Sequence, residues 1–130
     1  MIPIARVEHI GIRVTDPVRS EAFYALFGFE TKFRGGPEPV VIMQNDAGVE
    51  INLICNGAPR AEPSNVLMDV PEKHAGYTHV ALGVASIEET VAELGRLGIA
   101  ITGGPVNLGG RLSLFVRDPD RNVVELRETG

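Results

Sequence analysis

Apolar and polar positions alternate through residues 7–14. Ile10, Ile12 and Val14 point one way with Glu8, and Val7, His9, Gly11 and Arg13 point the other. A period of two marks a half-buried strand. The aliphatic side is therefore expected to pack on a helix, with His9 and Arg13 on the opposite face. The period then lengthens. Asp16 followed by Pro17 is a helix start signal, Val18, Ala22, Phe23, Leu26 and Phe27 form the apolar stripe, and Gly28 is the stop. Strands are expected at 29–34, 40–44 and 49–55, with a break at Gly35-Gly36-Pro37 and a turn at Asn45-Asp46-Ala47-Gly48. The order is strand, helix and three strands.

The same plan recurs. Tyr77-Thr78-His79-Val80-Ala81-Leu82-Gly83-Val84 repeats the opening stretch at an offset of 70, with His79 in the register of His9. Both histidines are expected mid-strand. Ser86 with Glu89 three residues on forms a capping box. Ile87, Val91, Leu94 and Leu97 make the buried stripe, and Gly98 stops the helix where Gly28 stops the first. A strand is expected at 99–102, a break at Gly103-Gly104-Pro105, a strand at 112–117, a turn at Asp118-Pro119-Asp120-Arg121 and a last strand at 122–127. A gap-free internal repeat signals a duplicated supersecondary unit. The expectation is an α+β chain, 1–130 as one domain, built from two βαβββ modules at 4–55 and 77–128. The connector at 56–76 holds Pro59, Pro63 and Pro71 and no sustained period. Residues 64–70 are expected to be a surface loop, with an ordered lid as the alternative, and His74 has no neighbours that give it a role.

Composition narrows the function classes. Of 130 residues, 44% are hydrophobic and 22% charged, a globular balance. The formal net charge of -5 gives no basic face for nucleic acid, and a small anionic substrate stays open because local charge can oppose net charge. No apolar run approaches the roughly 20 residues that span a bilayer, and residues 1–6 have no signal-peptide layout. One cysteine, Cys55, cannot form a disulfide within the chain, which points to a reducing cytoplasm. Its expected role is that of a small core hydrophobe.

The candidate chemistry lies on the polar faces. Val124 and Leu126 point to the helix side, so Glu125 shares a face with His79 if the first and last strands of the module are neighbours. His9, His79 and Glu125 then make a two-histidine, one-carboxylate set suited to a divalent first-row metal with open positions for substrate oxygens. In module one, aligning Ile51 and Leu53 with Val124 and Leu126 puts Asn52 opposite Glu125. Glu50 lies two residues earlier on the same face, about 6.5–7 Å away along an extended strand. It would take the symmetric place only through a bulge or a shifted register. Glu50 and Asn52 are thus the two candidates for a fourth ligand, and with Asn52 in that place Glu50 is free to act as a general base.

These residues resemble a known family. His9-Ile10-Gly11-Ile12-Arg13-Val14 with Asp16 and Phe23-Tyr24, then Tyr77-Thr78-His79-Val80-Ala81-Leu82, and Phe115-Val116-Arg117-Asp118-Pro119-Asp120 through Val124-Glu125-Leu126 are similar to the two halves of bacterial glyoxalase I. Almost the whole chain resembles the vicinal oxygen chelate superfamily. That superfamily also holds methylmalonyl-CoA epimerase, extradiol dioxygenases and fosfomycin- and bleomycin-resistance proteins. The resemblance implies a curved, cup-shaped mixed sheet with helices on its outer face. It also implies one divalent ion (Ni, Zn, Co, Mn or Fe) on His9, His79 and Glu125, and a homodimer that sometimes exchanges modules. By the same resemblance Arg13 binds an anionic part of the substrate, and Asn52 is a second candidate for substrate binding. Two departures turn away from a glutathione-specific reading. The fourth-ligand slot reads Asn52-Leu53, and Asn107-Leu108 stands where many glyoxalases have a basic residue. The implied function is a lyase or isomerase of the glyoxalase or epimerase type, acting on a small molecule with neighbouring oxygens, with Glu50 or Glu125 moving a proton next to a carbonyl. The alternatives are a non-haem Fe(II) extradiol-type dioxygenase, which Asn52 favours, and a non-catalytic resistance or binding protein.

Overall fold

The computed structural model describes residues 1–129, and among them the chain forms eight strands and two helices. The first compact unit is Met1–Arg60 and the second Ala61–Gly130. The first holds β1 (Ile10–Arg13), α1 (Pro17–Ala25), β2 (Glu30–Gly35), β3 (Val40–Gln44) and β4 (Glu50–Ile54). The second repeats the order with β5 (His79–Val84), α2 (Ile87–Leu97), β6 (Gly103–Leu108), β7 (Arg111–Arg117) and β8 (Val123–Glu128). Each unit has one four-stranded mixed sheet, ordered β1-β4-β3-β2 and β5-β8-β7-β6. The first strand of each pairs in parallel with the last, and the other pairs are antiparallel. The expected α+β plan of two βαβββ modules is what forms. No described helix is long and apolar enough to cross a membrane.

Both helices begin, and α2 ends, where local chemistry dictates, whereas α1 ends at Ala25 with Leu26 as its C-cap, before the expected stop at Gly28. Asp16 Oδ1 accepts from the amides of Val18 (3.0 Å) and Arg19 (3.3 Å) at the start of α1. Ser86 Oγ accepts from the Glu89 amide (3.2 Å) at the start of α2, whose first turn is acidic and whose last turn carries Arg96, in line with the helix dipole. Gly98 closes α2 at φ 73°, a left-handed conformation that a Cβ would strain. Each helix supplies one large buried side chain at mid-length or beyond, Tyr24 and Leu94. Tyr24 stacks edge-on to Phe29 at 6.4 Å in the first unit. Around them lie Ile12, Val14, Val41, Met43, Ile51 and Leu53 in one unit, and Ile87, Leu114, Val116, Val124 and Leu126 in the other. Ile12, Val14, Ile51, Leu53, Val124 and Leu126 are positions that alternation assigned to the helix side, whereas the stripe expected on α1 is not its buried face: Val18 and Leu26 are exposed, and Ser20 and Tyr24 are buried. Gly11 and Arg13, on the other side of β1, are exposed. Cys55 is half-buried, and burial pushes its thiol pKa up.

Three strand expectations need correction. Alternation placed the first strands at 7–14 and 77–84, with both histidines mid-strand. β1 starts only at Ile10 and β5 at His79, so His9 precedes its strand and His79 opens its own. A parallel ladder cannot extend beyond its partner, and residues 7–8 and 77–78 lie ahead of the starts of β4 and β8, which emerge only after the turns headed by Asn45 and Asp118. The third correction is β6. Residues 99–102 form no strand, and the expected break at Gly103-Gly104-Pro105 lies inside one. The chain meets β7 at Thr102, whose amide and hydroxyl both donate to the Phe115 carbonyl (2.8 and 3.1 Å). A register shift between Gly103 and Val106 absorbs the proline, which an edge strand tolerates. Gly104 sits there at φ 74°, where a Cβ would lie 2.7 Å from the Ser113 carbonyl oxygen. The earlier Gly35-Gly36-Pro37 does break the chain after β2, so the two similar triplets are not structural equivalents.

The connector is ordered where it joins the second unit. Asn65 Oδ1 accepts from the amides of Leu67 (2.9 Å) and Met68 (3.0 Å), and Asp69 Oδ2 accepts from the Asn65 amide (2.7 Å). Arg117 on β7 then donates through both Nη atoms to Asp69, each at 2.9 Å. This fork-to-fork pair is of the stronger, geometrically specific kind. It holds the Asp69 carboxyl down from the ordinary 3.8 to about 2, the Arg117 hydrogen bond being the largest cause. Residues 64–70 are therefore a pinned turn on the second unit.

Two outcomes are expected. A depressed carboxylate stabilises the folded chain fully above its ordinary pKa and loses that contribution as pH falls towards about 2. Limited proteolysis of the connector should accelerate as pH drops below about 4 in the native protein, and Asp69→Asn should be cleaved fast at every pH; equal protection of both proteins would refute the pin. Ser20, on α1, is fully buried and its Oγ has no hydrogen-bond partner among the described residues. Ser20→Ala should raise stability by about 1 kcal/mol or more in chemical denaturation, since it removes an unsatisfied hydroxyl and adds helix propensity.

Candidate metal centre

In the second unit the parallel register decides the chemistry. Ala81 pairs with Glu125 and His79 with Val123. His79, two residues before Ala81, therefore stands on the same face as the carboxylate. Val124 and Leu126 point into the core, so Glu125 must point away from the helix. His79 Nε2 lies 3.0 Å from Glu125 Oε1, and its Nδ1 lies 2.9 Å from Thr78 Oγ1. A metal bound at Nε2 would require the tautomer in which Nδ1 donates its proton to the Thr78 hydroxyl. The Phe115 ring, 5.8 Å away at 75°, backs the imidazole. The Glu125 side chain is 9% exposed and that of His79 33%, so the carboxylate is sunk at the base of the face and the imidazole stands above it. Glu125 Oε2 accepts from Ser113 Oγ at 2.9 Å.

The first unit has the same frame with different side chains. Asn45 and Asp118 head equivalent turns. Asn45 Oδ1 accepts from the Val49 amide (2.9 Å) and Asp118 Oδ1 from the Asn122 amide (2.8 Å). Counting on from these turns, Asn52 occupies the place of Glu125, and it pairs with Gly11 as Glu125 pairs with Ala81. No bulge interrupts β3–β4 or β1–β4. Glu50 therefore stays out of the symmetric place but still reaches the histidine. Glu8, His9 and Glu50 each offer a ligand atom within 4.8 Å of the others. With its amide turned so that the oxygen faces His9, Asn52 links them: the oxygen accepts from His9 Nε2 (3.3 Å) and the nitrogen donates to Glu50 Oε2 (3.2 Å) and to the Ile51 carbonyl (3.2 Å). Gln44 Nε2 donates to Glu50 Oε1 (2.6 Å). His9 Nδ1 also pairs with the Glu8 carboxylate.

Both half-sets fit a divalent ion chemically. Bonds of about 2.1 Å meeting at about 90° place neighbouring donor atoms about 3 Å apart, which is the His79–Glu125 spacing. Imidazole nitrogens with one buried carboxylate suit zinc, nickel, cobalt, manganese or iron. Within the units, His79 meets Glu125, and His9 meets Glu50 and Asn52. Arg13, on the exposed face of β1, donates from Nε to Asn56 Oδ1 (2.9 Å). Alternation had turned Glu8 to the helix side. It lies ahead of β1, where alternation no longer holds, and only its adjacency to His9 signalled a role. Ser113, Gln44 and Arg127 also went unrecognised, because each acts through a cross-strand neighbour.

Comparisons with known proteins agree with the fold. The family model described as Glyoxalase/Bleomycin resistance protein/Dioxygenase superfamily matches residues 6–126. No curated protein matches the chain. Among solved structures, a glyoxalase family protein from Enterococcus faecalis is 25% identical, with 95% of this chain and 97% of that one covered and a TM-score of 0.76. TnmS3, an antibiotic binding protein from Streptomyces sp. CB03234, is 20% identical over the full length of both chains, with a TM-score of 0.73. FosX, a fosfomycin resistance protein from Listeria monocytogenes, is 20% identical over 98% of this chain and 96% of its own, with a TM-score of 0.70. At those last two identities the likeness is one of fold.

Proposed function

The chain belongs to the glyoxalase/bleomycin resistance protein/dioxygenase superfamily, and from that premise we propose a metal-dependent lyase or isomerase that moves a proton next to a carbonyl. The observation that carries the proposal is the His79 Nε2–Glu125 Oε1 pair at 3.0 Å, with the other imidazole nitrogen engaged by Thr78. His9, His79 and Glu125 are the proposed ligands. When bound, a divalent ion supplies Lewis acidity towards two neighbouring substrate oxygens. Glu50, held by Gln44 and Asn52 beside His9, takes the proton. Asn52 contacts the substrate, and Arg13 anchors an anionic arm with Asn56 steadying the guanidinium. The protein acts as a cytoplasmic homodimer on a small molecule.

One observation favours a second reading. A neutral amide, Asn52, holds the place symmetric to Glu125, which leaves two histidines and one carboxylate as the strongest ligands. That donor set also serves non-haem Fe(II) oxygenases. Incubation of the Ni- or Co-loaded protein with α-hydroxycarbonyl compounds in deuterated water distinguishes the two. Deuterium entering the carbon next to the carbonyl supports the lyase or isomerase. Iron in the protein as isolated, with oxygen uptake on catechols, refutes it in favour of the oxygenase. A metal-free protein that binds small molecules without turnover would leave a binder.

The roles separate by mutation. His79→Ala should lose the metal, read by elemental analysis, and unchanged metal content would remove His79 from the ligand set. Glu50→Gln should retain the metal while the exchange rate falls by about 100-fold or more, the usual scale for a general base; loss of metal instead would make Glu50 a ligand.

A further inference from the structure

We propose that Ser113 and Arg127 are positioning residues that hold Glu125 in a one-oxygen binding pose, an inference that rests on reading Glu125 as a metal ligand. Glu125 is buried, and a buried carboxylate needs a partner for each oxygen. Ser113, itself 0% exposed, donates its hydroxyl proton to Oε2 at 2.9 Å. The same hydroxyl oxygen accepts from Arg127 Nη1 at 3.2 Å, and Arg127 is anchored in turn by Nη2 donating to the Leu108 carbonyl at 2.6 Å. Nη1 lies 3.9 Å from Oε2, so the guanidinium also draws that oxygen electrostatically. Oε2 is committed to this chain of contacts. Oε1 alone faces His79. A carboxylate fixed in this way presents one oxygen and leaves the adjacent positions clear for substrate oxygens.

The duplicated unit provides an internal control. Ser113 pairs across the sheet with Arg127, two residues from the Phe115–Glu125 pair. In the first unit the corresponding pairs are Val40–Ile54 and Ile42–Asn52. The buried hydroxyl and a half-buried guanidinium accompany the carboxylate, and aliphatic side chains take their places beside the neutral amide. Since a polar pair at these positions costs desolvation that Val40 and Ile54 avoid, its presence only beside Glu125 points to a role specific to that carboxylate.

The test titrates apo protein with Co(II), following the visible absorption, with thermal unfolding of each apo variant as the folding control. Ser113→Ala should lower Co(II) affinity about 10- to 100-fold, the range seen when partners of metal ligands are removed, and change the cobalt spectrum while the apo protein still unfolds cooperatively. Arg127→Met should act in the same direction more weakly, and Val40→Ser should leave affinity and spectrum as in the unmodified protein. Unchanged affinity and spectrum in folded Ser113→Ala and Arg127→Met would overturn the positioning role while the metal reading stands. If Ser113→Ala does not fold, Arg127→Met decides. Failure of the unmodified protein to bind Co(II) would instead remove the metal reading, and this inference with it.

Discussion

Each unit depends on one constraint, the parallel pairing of its first strand with its last. Parallel neighbours need a crossover, and here α1 or α2 begins each crossover and covers one face of the sheet. The aliphatic residues of the paired strands then have to face the helix, and whatever alternates with them faces away. Because Ile51 and Leu53, or Val124 and Leu126, are held in the core, Asn52 and Glu125 have no other face to occupy. The equivalent turns at Asn45 and Asp118 set the register, so Gly11 meets Asn52 and Ala81 meets Glu125. Small residues at those two places leave room above the sheet. The core therefore determines the direction of the candidate ligands.

The two units answer the same geometry with different electrostatics. Around Glu125 there is a buried carboxylate with a partner at each oxygen, one imidazole and one hydroxyl, backed by a guanidinium. Around Asn52 the amide is a two-sided bridge, accepting from His9 and donating to Glu50. Moving the carboxylate two residues to Glu50 shifts it to the sheet end, where Gln44 and Asn52 satisfy its oxygens. A group on the open end of a strand can approach a substrate in a way that a sunken ligand cannot. That division gives Glu50 and Glu125 separate tasks in the proposed reaction.

The legible part of the chain was the part governed by local chemistry. The helix starts at Asp16 and Ser86, the stop at Gly98, the β3 span and the α+β plan of two modules followed from caps, glycines and periodicity. The alignment of Asn52 with Glu125 followed from matched turns and core residues. What misled was local pattern without a partner. Alternation ran on past the true ends of β1 and β5, because a strand ends where its neighbour ends. The triplet Gly103-Gly104-Pro105 had the composition of a break, yet an edge strand absorbed it in a register shift. Residues 64–70 looked like plain loop because their order comes from Arg117, 48 positions from Asp69.

The sequence by itself determined the duplicated modules, the histidine in each, and the face on which Glu125 stands. These are consequences of spacing, and spacing is written in the chain. Only the tertiary structure decided which atoms meet: Glu125 Oε1 with His79, Oε2 with Ser113, Glu50 with Gln44, and Glu8 with His9. Such contacts join side chains across strands or at strand ends, and their geometry is set by strand pairing and burial. No periodicity in the sequence records that geometry.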